Sequence, residues 1–194
     1  MSEQLSLMGF DDASKVTDGL FFAVVPDRDD AQQIQQFALR QRSQHGLTGA
    51  PLKSERFHVS LHSLGEYAGL PPTTVADAKQ AAATIAAAPF DVTFDRVMSF
   101  SGSPRKRPFV LRGSDGLAAL MAFQRTLAVA MAKAGLGRFV KAQYTPHVTL
   151  LYDPRAVEEH PVTPVGWTVR EFVLVHSLIN QTRHIPLGRW PLRG

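Results

Sequence analysis

The sequence predicts an α+β fold of two pseudo-symmetric lobes, each of antiparallel sheet and helices, around a central groove. Three observations carry this. The five residues Phe57-His58-Val59-Ser60-Leu61 return as Pro146-His147-Val148-Thr149-Leu150, with the two histidines 89 positions apart. An apolar, β-prone run precedes each copy at nearly the same interval, 37 positions from Phe21 to His58 and 38 from Phe109 to His147. Between run and motif, each half carries a segment with helical spacing of apolar side chains.

Taken in order, residues 1–18 mix Ser, Asp, Gly and a few apolar side chains without period, and are expected to form a tail ahead of one bilobal domain over 19–194. Leu20 to Val25 is continuously apolar, as in a strand buried on both faces, and Pro26 ends it. Asp27, Asp29 or Asp30 can cap the next helix, which turns Ile34, Phe37 and Ala38 to one side and runs to about Arg42. His45 to Pro51 reads as a loop with two glycines and a proline. Lys53 and Arg56 follow it; either can meet an anion or simply lie in solvent.

In each motif the β-prone Val and Leu favour a strand, where residues i and i+2 share a face. His58 therefore sits beside Ser60, and His147 beside Thr149, about 6.5–7 Å apart along the chain. Val59 and Leu61, like Val148 and Leu150, point the other way into a core. By the same parity His62 joins the face of His58, lining the groove or meeting solvent. His58 and His62 are not a metal pair, because four strand residues span about 13 Å.

Leu70-Pro71-Pro72 is a breaker, and Thr73 or Thr74 is expected to cap an alanine-rich helix facing inward through Val75, Ala78, Ala82, Ile85 and Ala86 until Pro89 stops it. Residues 90–100 alternate as a half-exposed antiparallel strand. The loop that follows contains Arg105-Lys106-Arg107, and Arg105 and Arg107 are candidates for phosphate contact, against the alternative of a solvated loop. Residues 108–112 pair back as a strand ending at Arg112, whose direction parity does not settle. Ser114 is the expected cap of a helix buried through Leu117, Leu120, Met121, Leu127, Ala128 and Met131, with the methionines as core fillers. Gly135 and Gly137 end it. Tyr144 is a candidate for stacking on a base, with packing as the alternative, and Tyr152 falls on the side of Val148 and Leu150. Prolines and charges over 154–164 suggest a loop, Val165 to Ile179 one long strand, and residues 183–192 a closing strand. His176 and His184 are open as neighbours of the groove.

Two imidazoles and two hydroxyls facing one another suit phosphoryl transfer. With an ordinary histidine pKa of roughly 6.5, one ring can take a proton from an attacking oxygen while the other gives one to the leaving oxygen. The hydroxyls of Ser60 and Thr149 donate to the phosphate oxygens where charge develops. No metal or other cofactor is required by that scheme.

With His58-Val59-Ser60-Leu61 and His147-Val148-Thr149-Leu150 both in place, the chain resembles the 2H phosphoesterases, and within them the RNA 2′,3′-cyclic phosphodiesterases often labelled 2′-5′ RNA ligases. Leu64-Gly65-Glu66, Thr145-Pro146 and the closing Ile185-Pro186-Leu187-Gly188-Arg189-Trp190 add to the resemblance, which spans about residues 20–192. It implies hydrolysis of RNA cyclic phosphate ends to 2′-phosphates, with His58 as acid and His147 as base. The first motif carries Ser where many relatives have Thr, which keeps the hydroxyl and loses a methyl. An RNA- or nucleotide-binding module with little turnover, an enzyme for another phosphodiester, and 2′-5′ RNA joining stay open as alternatives.

Composition is compatible with this. The 194 residues suffice for one sizeable core, and 44% hydrophobic content is ordinary for a globular chain. The absence of cysteine excludes disulfides and thiolate metal sites. A net charge of +4 suits an anionic partner such as RNA or a nucleotide. With no membrane-length apolar run and no apolar signal core at the start, a cytoplasmic monomer is expected.

Overall fold

A computed structural model describes residues 15–179 and 181–193. Eight strands form two four-stranded antiparallel sheets. The first contains β1 (Asp18–Val24), β2 (Val59–Tyr67), β7 (Glu171–Leu178) and β8 (Arg183–Pro191), in the order β2-β1-β7-β8. The second contains β3 (Phe90–Ser99), β4 (Arg107–Arg112), β5 (His147–Asp153) and β6 (His160–Val169), in the order β5-β4-β3-β6. The orders match position for position, so the expected bilobal α+β architecture is present. Its lobes are not consecutive halves of the chain, however, because β7 and β8 return from the C-terminal side to complete the first sheet.

That return corrects the reading of residues 154–179. Residues 165–179 are not one strand: the chain leaves the second sheet at Val169 and enters the first at Glu171, where the apolar alternation of Val165, Trp167 and Val169 gives way to the continuously buried Phe172–Val175. Arg170 alone makes the crossing, and its carbonyl accepts from the Leu192 N–H at 2.7 Å. Pro161 and Pro164, read as loop residues, lie inside β6. They are tolerated because β6 is an edge strand, where a missing N–H can fall on the unpaired side, and because the ladder to β3 shifts register beside them.

Three helices pack on the sheets: α1 (Arg28–Gln44), α2 (Pro72–Ala83) and α3 (Ala118–Lys133). The Asp27 carboxylate caps α1 by accepting from the Asp30 N–H at 2.9 Å, and Ile34, Phe37 and Ala38 are buried as expected. Neither threonine caps α2; Pro72 begins it at the first helical position, where its ring presets φ and no N–H is missed. It ends at Ala83, ahead of Pro89, and buries Thr74, Ala78, Ala81 and Ala82. Ser114 does not cap α3 either. Its N–H and hydroxyl both bond the Asp95 carboxylate, and a short 3-10 turn over Asp115–Leu117 intervenes. Met131 fills the core, but Met121 is exposed.

One continuous apolar core joins both sheets and all three helices, through Phe22, Phe57, Phe94, Phe109, Phe172 and Leu150 among others. Of the segment read as a tail, residues 1–14 lie outside the described residues. Thr17 and Asp18 belong to the fold: the Thr17 N–H donates to the Tyr67 carbonyl, and Asp18 opens β1. No described helix is long and apolar enough to cross a membrane.

Candidate active site

Both motif strands are edge strands of their sheets rather than central ones. They are central only to the molecule, where β2 and β5 bring some of their Cα atoms within 8 Å of each other. The same local irregularity occurs in both. Between β1 and β2, Ala23 pairs with Ser60 and Phe22 with His62, which leaves Leu61 as an extra, bulged residue. Between β4 and β5, Val110 pairs with Thr149 and Phe109 with Leu151, which leaves Leu150 bulged. Each motif thus ends in a buried leucine that bends its strand and flips the side-chain parity behind it.

The flip explains two departures from simple alternation. His62 does not share the face of His58; it is 4% exposed, and its Nε2 lies 3.0 Å from the Gln124 carbonyl of α3. Tyr152 turns outward instead of joining Val148 and Leu150, and the Lys106 ammonium sits over its ring. Ahead of the bulge parity holds. His58, Ser60, His147 and Thr149 are half-buried, while Val59 and Val148 are fully buried.

The two motif histidines are held alike. His58 Nδ1 is 2.7 Å from the Arg56 carbonyl, and His147 Nδ1 is 2.8 Å from the Thr145 carbonyl. A carbonyl can only accept, so each Nδ1 carries the proton and Nε2 is the nitrogen whose proton is exchangeable. Neither Nε2 has a hydrogen-bond partner among the described residues.

Their surroundings differ. His58 packs against Phe21 and, edge-on, against His184, with ring centroids 5.1 and 5.2 Å away. An Arg56 guanidinium nitrogen lies 3.5 Å from His184 Nε2. His147 packs edge-on against Phe100 at 4.8 Å. Arg112, its partner across the strand pair, lies over the same phenyl ring and is held by Glu159 at 2.9 Å. Arg56, Arg112 and His184 therefore line the site. His176 does not; it pairs with Asp18 at 2.5 Å.

Burial holds both motif histidines below the usual value. At His58 it outweighs the bond to the Arg56 carbonyl, and the charges of His147 and Arg56 lower it further. At His147 it outweighs the bond to Thr145, and Arg112 adds to it. His184 is pulled down to about 4 by burial, then by His58 and Arg56. His45 and His62 are also lowered, chiefly by burial. In all five the unfolded chain binds the proton more readily, so between about pH 6.5 and the folded values stability falls as pH falls. Thermal melts from pH 7 to pH 4 are expected to show a steadily falling Tm, with a shallower slope in His184→Gln. A flat profile would contradict the burial of these rings.

Of the other candidates, Tyr144 lines a cavity of about 270 Å³ that also touches Ser60 and His147. Arg107 does not approach the histidines. It pairs with Asp153 at the end of β4 opposite Arg112, and its guanidinium bonds the carbonyls of Pro104 and Pro154. Arg105 is exposed in the hairpin turn beyond it. Both sit at the wrong end of a six-residue strand. Phe21 and Phe100 carry no sequence signal that separates them from core residues, whereas Gln124 could have been found as the one polar side chain at the helical spacing of Leu120, Leu127 and Met131. Among the described residues, no three His, Cys, Asp or Glu side chains gather closely enough to hold a metal ion.

A family model described as the 2′-5′ RNA ligase superfamily matches residues 10–178. Among solved structures, E. coli LigT complexed with 3′-AMP is 26% identical, with a TM-score of 0.70 over 92% of this chain and 99% of that one. E. coli LigT complexed with ATP is 24% identical, with a TM-score of 0.67 over 92% and 99%. A Thermus thermophilus protein at 20% identity and a TM-score of 0.69, over 91% and 98%, shares the fold. Among curated proteins, none matches the chain. Two matching sheets, each bearing a bulged His-x-hydroxyl-Leu strand at its edge, and a family match over most of the sequence lead to one conclusion: the chain belongs to the 2′-5′ RNA ligase superfamily, as a LigT-like 2H phosphoesterase.

Proposed function

We propose that the protein hydrolyses RNA 2′,3′-cyclic phosphate ends to 2′-phosphates by acid/base catalysis at His58 and His147, without a metal. One observation supports this above the others: two edge strands that approach each other present imidazoles in the same tautomer, each with Nε2 unpartnered among the described residues and a hydroxyl two residues on.

In the reaction His147 Nε2 takes a proton from water as its oxygen bonds to phosphorus. The bond from phosphorus to the 3′ oxygen breaks, and His58 Nε2–H gives that oxygen its proton. A 2′-phosphate and a 3′-hydroxyl result, with His147 left protonated and His58 neutral, ready to exchange with solvent. The assignment of acid and base follows the family resemblance. Ser60 and Thr149 donate to the non-bridging oxygens, where charge accumulates. Arg56 and Arg112 supply positive potential on opposite sides. That E. coli LigT is found with 3′-AMP, ATP and NADP+ supports a nucleotide as the partner here.

Incubation with a cyclic-phosphate-ended oligoribonucleotide is expected to give a 2′-phosphate end, at a rate unchanged by a chelator. Because both histidines are lowered, kcat/KM should follow a bell centred below pH 6.5. The bound anion favours each imidazolium, so the kcat bell should lie at higher pH. Loss of activity on chelation, or a monotonic pH profile, would contradict the scheme.

A further inference from the structure

The cavity that begins at Ser60 and His147 is not needed to hold a phosphate, and its far side has a different chemistry. It runs between the edge of β2 and the segment 139–145 leading to β5, and Phe139, Tyr144 and Gln124 line it. Gln124 belongs to the buried stripe of α3, among Leu120, Phe123, Leu127 and Met131. It is only 6% exposed, yet its side-chain amide has no hydrogen-bond partner among the described residues. The Tyr144 hydroxyl is buried without a partner as well. Burial holds its proton firmly, raising its pKa.

A buried hydroxyl left unpaired is costly unless something bonds to it, forfeiting about 1–3 kcal/mol of hydrogen bonding. The backbone at Gln124 is fixed, because His62 bonds its carbonyl. The amide is thus a pre-positioned donor and acceptor side by side, the pattern that pairs with a nucleobase edge. Phe139 offers the apolar ring against which a flat heterocycle can lie. At about 270 Å³ the space is small for a ligand pocket and large enough for one base.

We propose that this cavity is a nucleobase pocket: it takes the base of the nucleotide whose phosphate lies between His58 and His147, with Gln124 reading the base edge and the Tyr144 hydroxyl bonding it. The sugar then spans from Ser60 and His147 into the pocket, and the preferred substrate is a nucleotide terminus with a defined base. The phosphate's position rests on the phosphodiesterase reading above; the pocket's selectivity does not require turnover.

The test compares wild type, Gln124→Leu and Tyr144→Phe. Calorimetry measures binding of the four nucleoside 2′-monophosphates and of inorganic phosphate, and kinetics measures kcat/KM on the four 2′,3′-cyclic mononucleotides. Wild type is expected to bind one nucleotide at least tenfold tighter than phosphate and to rank the four bases. Gln124→Leu should weaken the preferred nucleotide about tenfold to a hundredfold and flatten the ranking, with phosphate affinity unchanged. Tyr144→Phe removes one oxygen and keeps the ring, and should give a smaller loss confined to nucleotides. If nucleotides bind no tighter than phosphate, or both variants affect phosphate and nucleotide equally, the pocket is refuted. Base-independent turnover by wild type would also refute it while leaving the phosphodiesterase reading intact. Selective binding without turnover would leave the pocket standing and remove that reading.

Discussion

Replacing His58 or His147 with alanine is expected to lower kcat/KM on a 2′,3′-cyclic phosphate by about 10²–10⁴-fold, with a thermal melt close to that of wild type. Each ring is half-buried and its one hydrogen bond goes to a carbonyl two residues back, so its loss leaves the strand ladder and core intact. The chemistry has no substitute for either ring: one moves the proton from water, the other the proton to the leaving oxygen. Because both act in one transition state, the double variant should fall little below the slower single one. Steady-state kinetics on the three variants checks this. A loss of less than tenfold at either histidine, or losses that multiply, would mean the rings do not act together.

Asp153→Ala is expected to destabilise the protein by about 3–4 kcal/mol, read by denaturant unfolding. Asp153 ends β5 and is 2% exposed. One carboxylate oxygen accepts from the N–H groups of Thr48 and Gly49 at 2.6 and 2.7 Å and from the Thr48 hydroxyl at 3.1 Å; the other accepts from the Arg155 N–H at 2.8 Å. Burial raises its pKa, and these bonds outweigh that and leave it lowered. Protonation therefore removes the contribution only as pH falls below about 3.8, the ordinary carboxylate value. The cluster holds the loop after α1 against the open edge of β5, where the Leu52 N–H reaches the Leu150 carbonyl at 2.8 Å. Gly49 is part of the same seam: a Cβ there would lie 2.0 Å from the Tyr152 carbonyl oxygen, so only glycine fits. Without the carboxylate, several backbone donors lose their acceptor and the strand carrying His147 loses its cover. A change below 1 kcal/mol would show that the loop is held by other means.

The repeated motif made the two-lobe plan legible, because His-x-hydroxyl-Leu and the strands ahead of it recur at matching intervals. The topology was less legible. The passage at Arg170 from one sheet to the other leaves only a faint mark, the polar pair Arg170-Glu171 and a shift from alternating to continuous burial at Phe172, and neither says that the next strand joins the other sheet. Side-chain facing was readable only up to Leu61 and Leu150; beyond each bulge parity reverses, and His62 and Tyr152 were read on the wrong side. Arg105 and Arg107 drew attention as a basic run, but the run lies at the far end of β4, while the solitary Arg112 at its near end faces His147. His184 comes to His58 only through the pairing of β1 with β2 and β7 and of β7 with β8, a path no local pattern reveals.

The claim beneath all of this is that His58 and His147 serve one phosphate. Nitrogen-resolved NMR of both imidazoles during a titration with inorganic phosphate tests it most directly. The expected result is one binding event per chain, in which both Nε2 signals respond together and both histidines come to titrate at higher pH. A response confined to one ring, or two separable phosphates, would contradict the account.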